Sequence, residues 1–183
     1  MAKRIITISR EFGSGGRFIG EEVAKKLGIA YYDKEMIGQI AEQAGLSSAY
    51  VRENAELSPK KGWFAYAFSG RDITGKSVED MVYEAQRKVI MEIAEKENCV
   101  IVGRNADFIL KDRKDVLNVF IHGSIPEKVR RICSLYNVTE VDAIKMINDI
   151  DKRRRTNYNF YTEQKWGMAE NYTMSLNSSV LGY

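Results

Sequence analysis

The sequence is poor in residues that mark several classes of protein. Its 183 residues include one histidine, His122, and two cysteines, Cys99 and Cys133. The two cysteines give neither a disulfide framework nor the paired spacing of a metal site, so we expect reduced thiols. A lone histidine near the end of an apolar run is more often structural than catalytic. These shortages exclude a disulfide-stapled fold and a cysteine-based metal site.

Long hydrophobic runs and a strong charge of one sign are lacking as well. No apolar run approaches membrane length and no signal-like segment precedes the first predicted strand, so we expect a cytoplasmic protein without a membrane partner. The formal net charge of +3 is small and dispersed, which argues against nucleic acid as a partner. Hydrophobic residues (44%) and charged residues (29%) are in the proportions of one globular domain.

What the chain does have is a glycine-rich turn between a predicted strand and a predicted helix. β-branched residues at positions 5, 6 and 8 favour a buried strand, and apolar residues at four-residue spacing from Ile19 to Leu27 favour a helix. Between them lie Gly13, Gly15 and Gly16, whose backbone can approach an anion closely. Because the helix N-terminus adds its dipole, the turn is suited to phosphate.

This turn fails both standard nucleotide motifs. In one register of G-x-x-x-x-G-K-[ST], Gly16 stands in the lysine place, Arg17 in the hydroxyl place and Arg10 in the first glycine place. In the other register, Arg17 stands in the lysine place and Glu11 in the first glycine place. The dinucleotide motif fails at Phe18. The turn alone therefore indicates phosphate binding and tight packing about equally.

Strands and helices alternate along the rest of the chain, which predicts a parallel three-layer α/β sheet. Further strands are predicted at 29–33, 99–104, 116–123 and 172–179. Helices are predicted at 34–45, 77–98, 126–136 and from 139 onward. Capping boxes are expected at Ser77 with Asp80 and at Thr139 with Asp142. No helix is predicted after the last strand.

Charged residues follow several predicted strands at the edge where α/β sheets bind ligands. Asp33 ends the second strand and is either a helix cap or a ligand-binding residue. Arg104 and Asp107 follow the third, where a guanidinium can grip phosphate or form a surface salt bridge. Four consecutive cations at 152 to 155 stand beside tyrosines in the segment 151–167. Such a run is either a solvated surface or a lid over phosphates.

Two further stretches offer rival interpretations. The segment 40–52 resembles a helix-turn-helix DNA reader, but its glutamates are unsuited to a helix that faces phosphates. The segment 57–76 combines glycines with aromatic residues and is expected to be a loop that packs or covers a ligand.

Taken together, five segments resemble the cytidylate kinase-like branch of the nucleoside monophosphate kinases over nearly the whole chain. They are ISREFGSGGR (8–17), YYDKEMI (31–37), CVIVGRNADFIL (99–110), DKRRRTNYNFYT (151–162) and MSLNSSVLG (174–182). The resemblance implies a single domain over 1–183 with the three-layer P-loop kinase fold and a five-stranded parallel sheet in the order 2-3-1-4-5. It also implies a monophosphate-binding helical part at 34–98 and a lid at 151–167.

The resemblance further implies roles for individual residues. The ATP phosphates would be held by Gly13, Ser14, Gly15, Gly16, Arg17 and Arg131. The monophosphate would be held by Asp33, Arg104 and Asp107, and the catalytic cations would be Arg17, Arg153 and Arg155. The implied cofactors are ATP and Mg²⁺, with no metal ligand assigned, and the implied partner is a nucleotide substrate such as CMP or dCMP. A homodimer is left open.

Three departures from the family pattern leave two functions in contention. The P-loop lysine is absent, and whether Arg17 replaces it is open. The lid carries a continuous basic run, and the sequence ends at Tyr183, where the family usually adds a closing helix. An active phosphotransferase needs positive charge and positioning rather than a nucleophile, so it remains the leading hypothesis. The alternative is a nucleotide-binding regulatory protein that has lost catalysis with the lysine.

Overall fold

Five parallel strands form one sheet in the computed structural model, which describes residues 4–45 and 78–182. The strands are β1 (Ile5–Arg10), β2 (Ala30–Tyr32), β3 (Cys99–Val102), β4 (Val116–His122) and β5 (Met174–Asn177). Their order is β2-β3-β1-β4-β5, so the predicted order and the P-loop kinase topology are confirmed. The carboxyl ends of all the strands therefore meet at one edge of the sheet.

β1 lies in the middle of the sheet and pairs along its length with two neighbours. Ile5 lies opposite Cys99 of β3 and Val116 of β4, and the pairing with β4 continues to Arg10 opposite Ile121. β3 is buried at every position. That burial explains why its sequence is continuously apolar rather than alternating, as expected for a parallel strand covered on both faces.

Seven helices and one short 3-10 helix are found in the described part of the chain. They are α1 (Gly16–Leu27), α2 (Lys34–Gln43), α3 (Val78–Lys96), α4 (Ala106–Ile109), α5 (Ile125–Tyr136), α6 (Glu140–Thr162), the 3-10 helix Ala169–Asn171, and α7 (Ser178–Leu181). α5 carries proline in its first turn, as predicted. The Thr139 hydroxyl caps α6 by accepting the Asp142 N–H at 3.2 Å, which confirms the Thr139 half of the second capping box.

Two apolar clusters hold the helices in place. On one face of the sheet, α1 packs so closely that a β-carbon on Gly20 would lie 2.8 Å from Cγ2 of Val102. The second cluster joins α5 to α6 through the buried side chains of Ile132 and Ile147. Burial of apolar area therefore holds α1 against the sheet in the first cluster and α5 against α6 in the second.

The chain divides into two compact units, residues 1–33 with 97–183 and residues 34–96. The first unit contains the sheet with α1 and α4 to α7; the second contains α2 and α3. No helix in the described ranges is long and apolar enough to cross a membrane.

Some predictions from the sequence need correction or lie outside the described ranges. The prediction that no helix follows the last strand was wrong, because α7 follows β5 directly. Its signal is Asn177, whose side chain accepts the Ser179 N–H at 3.0 Å as a helix cap. Ser77, most of the DNA-reader segment 40–52 and the whole aromatic segment 57–76 lie outside the described residues.

Candidate active site

A glycine loop joins the end of β1 to the start of α1. Gly13 and Gly15 both adopt left-handed backbone conformations, with φ of 80° and 77°. Ser14 is buried, and its hydroxyl donates to the Glu11 carbonyl at 2.9 Å. The loop is therefore tightly turned and closed on itself, as the three glycines predicted.

The N-terminus of α1 opens from this loop with its own donors. The first turn contains no acidic residue, and Gly15, at the cap position, has no side chain with which to accept the N–H groups. The N–H groups of a helix's first turn and the positive end of the helix dipole suit an anion. The residues present thus fit the phosphate groups that ATP would bring.

α5 supports the loop with a buried lysine that sequence reasoning missed. Lys128 is only 3% exposed, and its Nζ lies 2.9 Å from Oε2 of Glu11 and 3.6 Å from Oδ2 of Asp151. A β-carbon on Gly13 would lie 3.1 Å from the Lys128 Cβ, so only glycine fits closely here. Two carboxylates balance this charge, as a buried ion requires.

α6 holds the loop from a second side. Oδ1 of Asp151 accepts the Phe12 N–H at 2.7 Å, and Nη1 of Arg154 donates to the Arg10 carbonyl at 3.0 Å. Burial raises the pKa of Asp151 and lowers that of Arg154. Within the described chain, these two residues of the predicted lid segment thus contact the loop backbone directly.

Beside the loop, Arg17 contacts the aspartate that ends the second strand. Its Nη2 lies 2.8 Å from Oδ2 of Asp33, although the Arg17 side chain is 60% exposed and that of Asp33 only 8%. The hydroxyl of nearby Tyr31 is buried without a hydrogen-bond partner among the described residues. Its pKa is raised by burial and by the Asp33 charge. Positive charge, a carboxylate and a buried hydroxyl therefore meet at the end of β2.

The end of β3 carries an unusual backbone. Gly103, Arg104 and Asn105 are consecutive left-handed residues with φ of 78°, 59° and 56°. Two non-glycine residues in this region imply backbone strain, which proteins retain mainly at functional sites. Asn105 is tied to α6, since its Nδ2 donates to Oδ1 of Asn157 at 3.1 Å. The strained turn places Arg104 at the same sheet edge as the glycine loop, where the sequence predicted it.

Asp107 lies in the interior. It is 3% exposed and accepts the Ser9 hydroxyl at 3.1 Å and the Tyr158 hydroxyl at 2.7 Å. Burial raises the pKa of Asp107, the hydrogen bonds lower it less, and the buried Tyr158 has a raised pKa as well. These contacts support a role in positioning α6 against β1, while the predicted monophosphate contact stays a prediction.

The remaining predicted arginines lie on α5 and α6. Arg131 lies over the ring of Phe18 at 5.9 Å, and the exposed Arg153 donates to the Asp149 carbonyl at 3.3 Å. Arg155 lies 5.9 Å from the ring of Trp166 and lines a pocket of about 280 Å³ that also includes Glu11. Their phosphate-binding and lid roles stay predictions.

Sequence reasoning missed the residues that hold the loop, Arg10, Lys128, Asp151 and Arg154, and the hydrogen bond from Tyr158 to Asp107. The sequence did contain one signal for this set, an acid and a base three residues apart on a helix, which lie on the same side of it and can pair. Asp151 and Arg154 have that spacing. For Lys128 the signal was its position beside Val129, on the apolar face of α5.

The described residues include no evident set of protein ligands for Mg²⁺. The described residues contain no cluster of three histidine, cysteine, aspartate or glutamate side chains that could hold a metal. If Gly15 and Gly16 take the G-K places, Arg17 occupies the position of the hydroxyl that usually binds the ion. The loop thus fits phosphate but lacks the usual protein ligand for Mg²⁺.

A five-stranded parallel sheet in this order, with a glycine loop between β1 and α1, defines the class of P-loop kinase folds. The chain belongs to the cytidylate kinase-like family, whose model matches residues 5–180. This family membership identifies a nucleotide-binding phosphotransferase, and it implies the use of ATP and Mg²⁺ in general.

Solved structures agree with the fold. An uncharacterized protein from Eubacterium ventriosum is 29% identical with a TM-score of 0.73, covering 96% of this chain and 88% of that one. The shikimate kinase of Bacteroides thetaiotaomicron is 17% identical with a TM-score of 0.54, covering 98% and 88%. A gluconokinase from Sinorhizobium meliloti is 14% identical with a TM-score of 0.52, covering 97% and 84%. A comparison with curated proteins gave no match.

Proposed function

We propose that the protein transfers a phosphoryl group from ATP to a nucleoside monophosphate, with CMP or dCMP as the preferred acceptor. The observation that carries the proposal is the glycine loop at the carboxyl edge of the sheet, with Asp33 and Arg104 at the ends of the neighbouring strands. Membership of the cytidylate kinase-like family supports cytidine as the base.

The proposed division of labour follows from the position of each group. Gly13 to Gly16 and the first turn of α1 bind the ATP phosphates, and Arg131 supports them from α5. Asp33 and Arg104 orient the acceptor. ATP supplies the transferred phosphoryl group and the leaving group. The protein contributes alignment and positive charge, which phosphoryl transfer needs more than a covalent nucleophile.

Arg153 and Arg155 have a separate proposed role on α6. Both are exposed, so their guanidinium groups are free to turn toward a bound substrate without breaking buried contacts. Positive charge brought there would stabilise the equatorial oxygens of the phosphoryl group in transfer. This is the role that the lid prediction assigns to them.

The test is a coupled ADP-release assay with CMP, dCMP, UMP and AMP as acceptors. Shikimate and gluconate are included because kinases for those compounds share the fold. We expect turnover with CMP or dCMP above all others, abolished by EDTA. Turnover only with shikimate or gluconate, or none with any acceptor, would contradict the proposal. ATP binding without any turnover would favour the regulatory alternative.

A matched pair of variants tests the acceptor site. Arg104→Met should lower kcat/KM for the monophosphate by about tenfold or more while ATP affinity is kept, because a charge-assisted phosphate contact is lost. Arg4→Met is the control. Arg4 is exposed at the opposite end of β1, where it donates to Asn98 at 3.0 Å. Equal effects of the two changes would remove Arg104 from the site.

A further inference from the structure

The first residue of the glycine loop and the first residue of α1 have exchanged their usual types. Among P-loops of the pattern G-x-x-x-x-G-K-[ST], the first position is glycine and the sixth after it is lysine. Here Arg10 stands in the first place and Gly16 in the lysine place. The structure places β1 up to Arg10 and starts α1 at Gly16, as that register requires.

Direct contact between positions 10 and 16 links the two changes. A β-carbon on Gly16 would lie 2.6 Å from Cβ of Arg10, which is closer than real β-carbons approach, and 3.0 Å from its Cγ. The stem of Arg10 therefore occupies the space from which a lysine side chain at position 16 would start. Glycine at 16 is required by the arginine at 10, and neither substitution is independent of the other.

The Arg10 side chain then runs across the carboxyl edge of the sheet. Its guanidinium touches Gly103 at the end of β3, where a β-carbon would lie 2.9 Å from Cζ of Arg10. The guanidinium thus lies between the glycine loop and the strained turn that carries Arg104. This second glycine contact keeps the path of the arginine open.

Arg10 differs from three other cations around the loop, because each of those has a carboxylate partner. Lys128 is paired with Glu11, Arg17 with Asp33 and Arg154 with Asp151. Among the described residues, no carboxylate lies within salt-bridge distance of the Arg10 guanidinium. Burial and the nearby charges of Arg154 and Arg104 lower the pKa of Arg10 to about 9, against the attraction of Asp33, which lies beyond salt-bridge distance. Arg10 is therefore charged at neutral pH without a directly paired carboxylate.

We propose that Arg10 performs the phosphate contact of the missing P-loop lysine, reaching the β- and γ-phosphates of ATP from the first loop position. The inference rests on the proposed function for the identity of the nucleotide. A bound triphosphate would supply the directly paired anion that the guanidinium lacks, and the planar fork of arginine would bind it bidentately. Arg17, held by Asp33, is then an acceptor-side residue.

The test measures ATP and AMP affinity by calorimetry without acceptor. Arg10→Met should weaken ATP binding by about tenfold or more and leave AMP binding unchanged, since the terminal phosphates alone are contacted. Arg17→Met is the rival variant, because the resemblance assigns Arg17 to the ATP phosphates. Arg4→Met, at the opposite end of β1, is the matched control and should keep ATP affinity. Loss of ATP affinity in Arg17→Met but not in Arg10→Met would overturn the inference, as would equal losses for ATP and AMP.

A swap of the two positions tests the link between them. Gly16→Lys alone should lose stability and ATP affinity because its stem collides with Arg10. Arg10→Gly with Gly16→Lys restores the common pattern and should bind ATP about tenfold more tightly than either single variant, as coupled neighbours do. Additive losses would overturn the inference. If Arg10→Met fails to fold, Arg10→Lys replaces it in the affinity measurement, because lysine keeps the charge and the aliphatic stem. Arg10→Lys should retain a preference for ATP over AMP.

Failure of the two proposals can be told apart. If the natural protein binds ATP but turns over no acceptor, the proposed function fails while the ATP affinity of Arg10→Met still decides the role of Arg10. If it turns over CMP and Arg10→Met keeps full ATP affinity, only the role of Arg10 fails. If the natural protein does not bind ATP, both fail.

Discussion

At the scale of residues, the glycine loop is held by charges that are paired in the interior. The buried Lys128 is placed between Glu11 and Asp151, and Asp151 also accepts the Phe12 N–H. Each buried ion gains partners that offset its loss of hydration. Removing one partner leaves another uncompensated, so single substitutions here should affect stability as well as function.

The first prediction concerns Gly13, whose conformation and surroundings both require glycine. Gly13→Ala should reduce the free energy of unfolding by about 2 to 4 kcal/mol, because left-handed strain adds to overpacking against Lys128. Gly28→Ala is the control, since Gly28 also has positive φ but open space around it. That change should cost only about 1 kcal/mol. Urea unfolding measures both, and equal losses would contradict the steric argument.

The second prediction concerns the pH dependence of stability at Asp107. Burial raises its pKa above 3.8, so in the range above pH 4 the folded state binds more protons than the unfolded state. Stability conferred by this group is complete below that range and falls as the pH rises. The free energy of unfolding of Asp107→Asn should therefore rise relative to that of the natural protein between pH 4 and 7.

The control for Asp107 is Asp115, whose pKa is shifted in the opposite direction. Hydrogen bonds from Arg113 lower the pKa of Asp115, so its contribution is present at neutral pH and is lost on acidification. Asp115→Asn should lose stability relative to the natural protein as the pH rises from 3 to 5. Urea unfolding across pH 3 to 7 measures both differences. A falling difference for Asp107→Asn would contradict the assignment.

The roles of single residues were predicted less fully from sequence than their positions. Asp33 and Arg104 were expected at strand ends and lie there, because the order of parallel strands fixes which chain ends meet. Arg10 and Lys128 were missed, because their side chains act across distances that only the folded chain brings together. The contacts of Asp107 with Ser9 and Tyr158 were likewise not predicted, and its expected contact with the monophosphate stays a prediction.

At the scale of elements, α6 combines a structural and an exposed face in one basic run. Arg154 points inward and donates to the Arg10 carbonyl, while Arg153 is exposed and donates to the Asp149 carbonyl of its own helix. Adjacent residues on a helix point about 100° apart, so a run of cations cannot all face one ligand. The sequence therefore predicted a basic segment but not which arginines bind the loop.

The third prediction separates the two faces of α6. Arg154→Ala should lower the free energy of unfolding by about 1.5 to 3 kcal/mol, since it leaves the Arg10 carbonyl without its charged donor and leaves Asp151 with Lys128 as its cation. Arg153→Ala should change stability by less than about 0.5 kcal/mol. If Arg153 serves in phosphoryl transfer, its loss should reduce kcat without changing the melting temperature. Unfolding and steady-state kinetics on both variants measure this, and the reverse order of stability would contradict it.

At the scale of the whole molecule, the sheet was predictable because each strand carries its own local signal. Apolar runs bounded by glycine or charge gave five strands, and strand-helix alternation required them to be parallel. The strand order came from the resemblance to a family, since periodicity alone does not fix it. The final helix was missed because Ser178–Leu181 is too short to show an apolar period. Its sequence signal is the Asn177 cap.

The last prediction concerns stabilisation of the molecule by its ligands. A ligand present at about 100 times its Kd adds about 2.7 kcal/mol to the free energy of unfolding, and in a chain of this size each kcal/mol raises the melting temperature by about 2 to 4 °C. ATP and CMP should therefore each raise the melting temperature by about 5 to 10 °C. At the same ligand concentration, a tenfold loss of affinity leaves about 1.4 kcal/mol of this stabilisation. Arg10→Met should therefore reduce the ATP shift to about half or less and keep the CMP shift, whereas Arg104→Met should do the reverse. This crossed pattern requires two distinct sites on one sheet edge, and loss of both shifts in either variant would show a single shared site instead.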